Sequence, residues 1–449
     1  MSDTGIEDDP EIRAALDWFA EVSEDPGAFW LRVKQAQDAY RQSVALEANL
    51  GRDLPLEELG SDKVASYLAQ AYALLNDRRA YDLVLGSRVV PFIKHLGGGI
   101  EALRQMPGSA QRASRFLRQK AVDPEGAIFE LAVAVTYAHQ GFATEFIAEA
   151  PGIDRRPDLA VRRDALIAEV ECKRLGKGDY ERAESGHQRL IFEKLSELIH
   201  ERRLSFYVDV TYTNELKDIP EDYLDGWIRQ ALDCRIMLPS GFPWKDEHGE
   251  GTVRRANLEA VHHDTAASSL IFGPKMARLL TGAPVAERAY NMAGSGKQDL
   301  RDVRFVEQLY YGTVVTWQCV ADSSINSRAR YIRSKLAEVD KQLKSSPSGI
   351  AHIGMDAERD TIASDLRRER NKEVIQQFQF ESRMTAAYLH YFVPRVTEVS
   401  AWMIDETPDR FGPGSLNTLA DGRIFSRSDL LDNDLAAWHQ KPPPPLRSE

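Results

Sequence analysis

The sequence predicts an α/β protein, a mixed sheet flanked by helices, with a helical region before it and a large extension after it. Three observations carry that prediction. The first ~120 residues place apolar side chains at helical spacing with few β-branched runs. Residues 142–173 then switch to short runs with strand character, and a helix-patterned stretch separates these from one more strand. At 449 residues the chain is too long for one core and should divide into roughly two or three units.

Taken in order, residues 16–22, 30–50 and 64–75 read as helices of a helical N-terminal region spanning 1–122. Residues 86–103 contain Pro91 and the triplet Gly97-Gly98-Gly99, which should break that stretch into short helical pieces. Asp123 as N-cap and Pro124 at the first helical position open a helix running to Gln140, with Gly141 at its end. Strands are expected at 142–150, 157–161 and 165–173, an amphipathic helix at 184–203, and a strand at 204–212. These form an α/β unit over 123–213. Residues 214–300, with scattered Gly and Pro, read as an insertion or linker. In 301–436, residues 303–320 suggest two strands, 327–343 a long helix and 350–355 an apolar strand. This part either extends the first sheet or forms a domain of its own. Residues 437–449, with four consecutive prolines, read as a disordered or extended tail.

Composition removes several function classes. With 57 basic and 69 acidic side chains the formal net charge is −12, which argues against a broad basic surface for non-specific nucleic-acid binding. Positive charge is concentrated locally: Arg104, Arg112, Arg115, Arg118 and Lys120 occur within 102–120 with no acid among them. No apolar run is long enough for a membrane span, and the acidic N-terminus lacks the apolar core of a secretory signal. Cys172, Cys234 and Cys319 are too few and too scattered for a disulfide framework or zinc cluster. A cytoplasmic protein is expected.

The stretch with chemical content is Pro157-Asp158 followed by Glu169-Val170-Glu171-Cys172-Lys173. Strand alternation puts Glu169, Glu171 and Lys173 on one face and Val170 and Cys172 on the other. If the two runs are neighbouring strands, Asp158 lies beside Glu171. Two carboxylates, joined by the Cys172 backbone carbonyl, then offer oxygen ligands of the kind Mg²⁺ prefers. Lys173 would position a water or stabilise charge at an attacked phosphate. The bland alternative is a turn aspartate beside a solvated strand face.

These residues resemble the PD-(D/E)XK nuclease superfamily, also called restriction-endonuclease-like. Pro157-Asp158 matches its first half-motif and Glu171-Cys172-Lys173 its second, while Glu130 matches the acid many members carry on the preceding helix. The order helix, three strands, helix, strand also matches, and the resemblance covers residues 124–212. It implies a restriction-endonuclease-like fold and a metal-dependent endonuclease that hydrolyses phosphodiesters, with DNA as the favoured substrate, leaving a 5′-phosphate. In it Asp158 and Glu171 hold Mg²⁺ (or Mn²⁺), Lys173 assists the attacking water, and Glu130 supports a ligand or a second metal. The basic segment 102–120 would track the phosphate backbone, and cutting both strands would favour a homodimer. The rivals are a protein of this fold that binds nucleic acid or a protein partner without cutting, and a structural protein built by the N-terminal helices.

Other candidates fail on pattern. Glu215-Leu216-Lys217 and Pro408-Asp409 lack a partner motif and read as surface. Gly294-Ser295-Gly296-Lys297 resembles the end of a phosphate-binding loop, but Asn291 and Gln298 stand where glycine and Ser/Thr are required. His262-His263-Asp264 lacks a third spaced ligand, and residues 366–372 read as a solvated basic and acidic helix face.

Overall fold

The structure is a computed structural model that describes residues 9–46, 62–77, 80–118, 124–148, 156–233, 241–268, 273–283, 288–300, 305–358, 361–395, 403–412, 419 and 421–425. It is α/β. Seven helices come first: α1 (Pro10–Val22), α2 (Pro26–Leu46), α3 (Lys63–Asn76), α4 (Leu83–Gly98), α5 (Ile100–Gln105), α6 (Ser109–Arg118) and α7 (Pro124–His139). Strands β1 (Ala143–Phe146), β2 (Leu159–Arg163) and β3 (Leu166–Leu175) follow, then α8 (Asp179–Arg202) and β4 (Phe206–Tyr212). Next come α9 (Tyr223–Asp233), β5 (Phe242–Lys245), β6 (Gly249–Arg255), α10 (Leu258–Ser268), α11 (Gly273–Thr281), β7 (Tyr290–Gln298) and β8 (Val306–Cys319). The last elements are α12 (Asp322–Gln342), β9 (Gly349–Asp356), α13 (Ile362–Gln376), β10 (Met384–Arg395) and β11 (Met403–Phe411). No helix among the described residues is long and apolar enough to cross a membrane.

Two mixed sheets organise the chain. The first has the order β1-β2-β3-β9-β10-β11, with β3, β9 and β10 mutually parallel and the outer pairings antiparallel. The second has the order β5-β6-β4-β8-β7, with β4 parallel to β8. One face of the first sheet shares a continuous core with the N-terminal helices, through Val170, Ile350 and Phe392 against Ile93, Phe129 and Phe92. Its other face is covered by α12 and α13 through Leu175, Ile353 and Leu336. The second sheet packs α8 and α9 on one side and α10 and α11 on the other.

Several expectations change. Strand 204–212 was assigned to the same unit as β3, but β4 is the central strand of the second sheet, and the parallel neighbour of β3 is β9. The cause lies in α8, whose 24 residues span about 36 Å and carry the chain from one sheet to the other. Of the two readings of 214–300, insertion and linker, the described elements fit the insertion: α9, β5, β6, α10, α11 and β7 belong to the second sheet's layers, and the chain then returns to the first sheet with β9. Where two strands were expected within 303–320, the described residues form one, β8 (Val306–Cys319). Gly294 sits opposite Gly312, and a Cβ on it would stand 2.5 Å from the Tyr311 carbonyl oxygen, so glycine there lets β7 lie close along β8, the ladder shifting register only beyond Ser295. Pro91 does not end its helix: α4 runs 16 residues through it, held by burial of Val90, Phe92 and Ile93. Gly97 lets α4 lie against α1, because a Cβ there would stand 1.8 Å from the Glu11 carbonyl oxygen. The expected N-cap Asp123 and the tail 437–449 lie outside the described residues.

A hydrogen-bonded chain of buried side chains crosses the helical face of the first sheet. Tyr137 Oη meets His352 Nε2 at 2.9 Å, His352 Nδ1 meets His390 Nε2 at 2.9 Å, and His390 Nδ1 meets Glu406 Oε1 at 2.7 Å. Glu406 also accepts from the Ile424 and Phe425 amides, which anchors residues 424–425 in the core. Burial holds both imidazoles below their ordinary range, His390 at about 3, and pushes Glu406 up to about 8. Both imidazoles and the Glu406 carboxyl are thereby shifted toward their neutral forms, as a dry interior favours.

Candidate active site

The site forms where β2 stops and β3 continues. The antiparallel register sets Leu159 opposite Val170, so Asp158 falls beside Glu171. Asp158 N–H donates the last ladder bond, to the Val170 carbonyl at 3.0 Å. The next amide on that edge, Cys172 N–H, has no strand beyond β2 to meet. It donates instead to Asp158 Oδ2 at 2.9 Å. The aspartate thus finishes the edge with its side chain, just after a proline that has no N–H to offer.

Beyond that point β3 carries the second half-motif. Val170 and Cys172 turn into the core shared with the helices, as expected from alternation. Glu171 turns the other way and is fully buried. Its Oε1 accepts from Lys173 Nζ at 2.5 Å, while its Oε2 is buried without a hydrogen-bond partner. Burial and the Asp158 charge push the Glu171 carboxyl up to about 8, against the pull of Lys173 and Arg112. Burial opposes the charge of Lys173, but Glu171, then Asp158 and Glu130, outweigh it and raise its pKa.

Glu130 comes from α7, which packs on β3. Burial and then Asp158 push its carboxyl well above the usual range, with Glu171 adding to the effect. Arg112 from α6 joins Glu130 to Asp158. Its Nε lies 2.8 Å from Glu130 Oε2 and its Nη2 donates to Asp158 Oδ1 at 2.6 Å. The structure therefore brings Glu130, Asp158, Glu171 and Lys173 together, and adds Arg112.

No family model, curated protein or solved structure matches this chain. Its own chemistry has to carry the reading.

Among the described residues no group of three or more His, Cys, Asp or Glu side chains is placed to hold a metal ion. Mg²⁺ does not need one, since it keeps several waters and is held through one or two carboxylates. The unpartnered buried Oε2 of Glu171, next to Asp158, fits that demand: a buried carboxylate oxygen without a donor is costly unless a cation or water meets it. Cys172 is 3% exposed and its thiol is pushed up by burial, so any role for it as a ligand falls to its backbone carbonyl.

Sequence reasoning missed the role of Arg112, which it placed in a basic segment facing phosphate. That segment is divided: Arg112 turns into the site, while Arg104 pairs with Glu21 and Arg118 with Glu24. Lys120 lies outside the described residues. The missed signal was electrostatic, since three clustered acids with only Lys173 nearby call for another cation. Glu169 is set apart from the cluster, accepting from Ser346 Oγ at the turn before β9.

The rejected patterns sit in ordinary structure. Residues 294–297 lie within β7, with Lys297 paired to Glu307. His262 meets the Leu309 carbonyl and Asp264 pairs with Lys275. Lys217 pairs with Glu215. Asp409 is not on the surface; it is mostly buried and bridged to Arg368, so the α13 basic face is only partly solvated.

Proposed function

We propose that the chain is a metal-dependent nuclease of the PD-(D/E)XK, restriction-endonuclease-like type, hydrolysing phosphodiester bonds in DNA. The observation that carries the reading is the convergence of Asp158, Glu171, Lys173 and Glu130 where β2 ends beside β3, with Glu171 Oε2 buried and unpartnered. Asp158 and Glu171 would hold Mg²⁺, which supplies a more acidic water and charge relief at the attacked phosphate. Lys173, tethered to Glu171 and 24% exposed, orients the attacking water and balances charge as the phosphorane forms. Glu130 keeps Arg112 in place and thereby positions Asp158. A homodimer would supply the second site needed to cut both strands of a duplex.

The second reading is a protein of this fold that binds nucleic acid or a protein partner without cutting. One observation favours it: both Asp158 oxygens already accept hydrogen bonds, from Arg112 and from Cys172 N–H. Incubating the purified chain with supercoiled and linear DNA, with Mg²⁺ or with a chelator, separates the two. Cleavage that needs the metal and vanishes in Asp158→Asn supports the nuclease. DNA retention without cleavage in the wild type supports the binder.

A further inference from the structure

Arg112 is built into the site more firmly than a surface arginine. The turn before α6 is tied to β1 by a hydrogen bond from Phe146 N–H to the Pro107 carbonyl at 2.9 Å. Gly108 in that turn has φ +82° and lies against Phe146, where a Cβ would come within 2.8 Å of the phenylalanine Cβ. Arg112 begins one helical turn later, with its N–H bonded to the Gly108 carbonyl at 3.0 Å, and its guanidinium lies 5.6 Å from the Phe146 ring centre. The side chain is 12% exposed and spans from Glu130 to Asp158, two acids held by different elements.

We propose that Arg112 is an internal second cation, holding the place between Glu130 and Asp158 that a second divalent ion would need, so that the site takes one metal only. The inference rests on the nuclease reading above and names how its metal content is set. A second ion bridging these two carboxylates would need the oxygens that Arg112 already engages, Glu130 Oε2 and Asp158 Oδ1. Glu171 Oε2, in contrast, meets no donor. Arginine suits the place because its planar guanidinium keeps its charge and can engage two carboxylates at once.

The test is the number of Mn²⁺ ions bound by the intact chain, read by calorimetric titration. One ion per wild-type chain is expected. Arg112→Met should bind two, because Glu130 and Asp158 are then left facing each other without a cation. Arg112→Met combined with Glu130→Gln should return to one. Two ions on the wild-type chain would overturn the inference, as would one ion on a folded Arg112→Met chain. The wild-type stoichiometry needs no substitution, so the inference stays open to refutation even if Arg112→Met fails to fold. A wild-type chain that binds no Mn²⁺ removes the metal-dependent reading itself, and the inference with it.

Discussion

Cys172 and Asp158 are joined across the end of a strand pair: the Cys172 amide donates to Asp158 Oδ2 at 2.9 Å, where β2 no longer covers β3. The same carboxylate therefore completes the sheet edge and faces Glu171. A residue with both duties should be sensitive to shape as well as charge. Asp158→Asn keeps an oxygen for the Cys172 amide and should preserve folding, while Asp158→Ala leaves that buried amide unpaired at roughly 1–3 kcal/mol. Both should lose Mn²⁺ binding and cleavage together. Calorimetry, urea denaturation and cleavage of labelled DNA check this, and an Asp158→Ala chain that still binds metal would refute the ligand assignment.

Lys173→Ala separates catalysis from metal binding. The lysine meets Glu171 and does not complete the sheet. Its removal should leave metal binding in place and lower cleavage by about 10²–10³-fold, the usual effect of losing one preorganised electrostatic contact. A variant that cuts as fast as the parent would remove Lys173 from the mechanism.

Glu169→Gln serves as the contrast on the same strand. Glu169 accepts from Ser346 Oγ, and its amide donates to the Ser348 carbonyl at 2.9 Å. Cleavage should be unchanged and stability should fall by about 1 kcal/mol or less, since a glutamine oxygen still accepts from the serine. A large loss of activity would place Glu169 among the ligands.

The Glu406 carboxyl should leave a mark on stability against pH. Its folded pKa is raised to about 8 from 4.5 by burial, against the Ile424 and Phe425 amides. The stability it contributes is complete below about 4.5 and is lost as pH rises toward 8, at about 1.4 kcal/mol per unit. Glu406→Gln cannot titrate, so it should gain on the wild type between pH 5 and pH 8. Urea denaturation of both chains across that range tests this; a difference that does not change with pH would show that Glu406 is not protonated in the folded chain.

Gly97→Ala tests the packing of the helical layer on itself. A methyl group would meet the Glu11 carbonyl at 1.8 Å, so α1 and α4 must separate. Overpacking of this kind costs about 1–3 kcal/mol. Thermal denaturation reads the loss, and an unchanged midpoint would show that the two helices have room to spare.

Local patterns made the site legible and long-range pairing did not. Alternation along Glu169–Lys173 correctly divided Val170 and Cys172 from Glu171 and Lys173, because strand geometry leaves side chains only two directions. The closeness of Asp158 and Glu171 followed from a hairpin short enough to have one sensible register. The neighbour of β3 could not be read that way. β4 and β9 are both apolar strands that follow amphipathic helices, and nothing local says which one lies beside β3. Arg112 was hidden for a related reason. A helical arginine reads as surface until the carboxylates that require it are brought to its side by elements 18 and 46 residues away.

The pairing of β3 with β9 also sets an order of assembly on the ribosome. Glu171 pairs with Ala351, about 180 residues later in the chain. At about 5–20 residues per second, the strand bearing Glu171 and Lys173 waits on the order of 10–40 s for its central neighbour to be made. The second sheet, from β4 to β8, is synthesised in that interval and can close on itself first. Until β9 arrives, the inner edge of β3 remains an open template for another strand, and the acids of the site have no finished sheet to hold them. The chain thus completes its candidate chemistry late, after most of its length already exists.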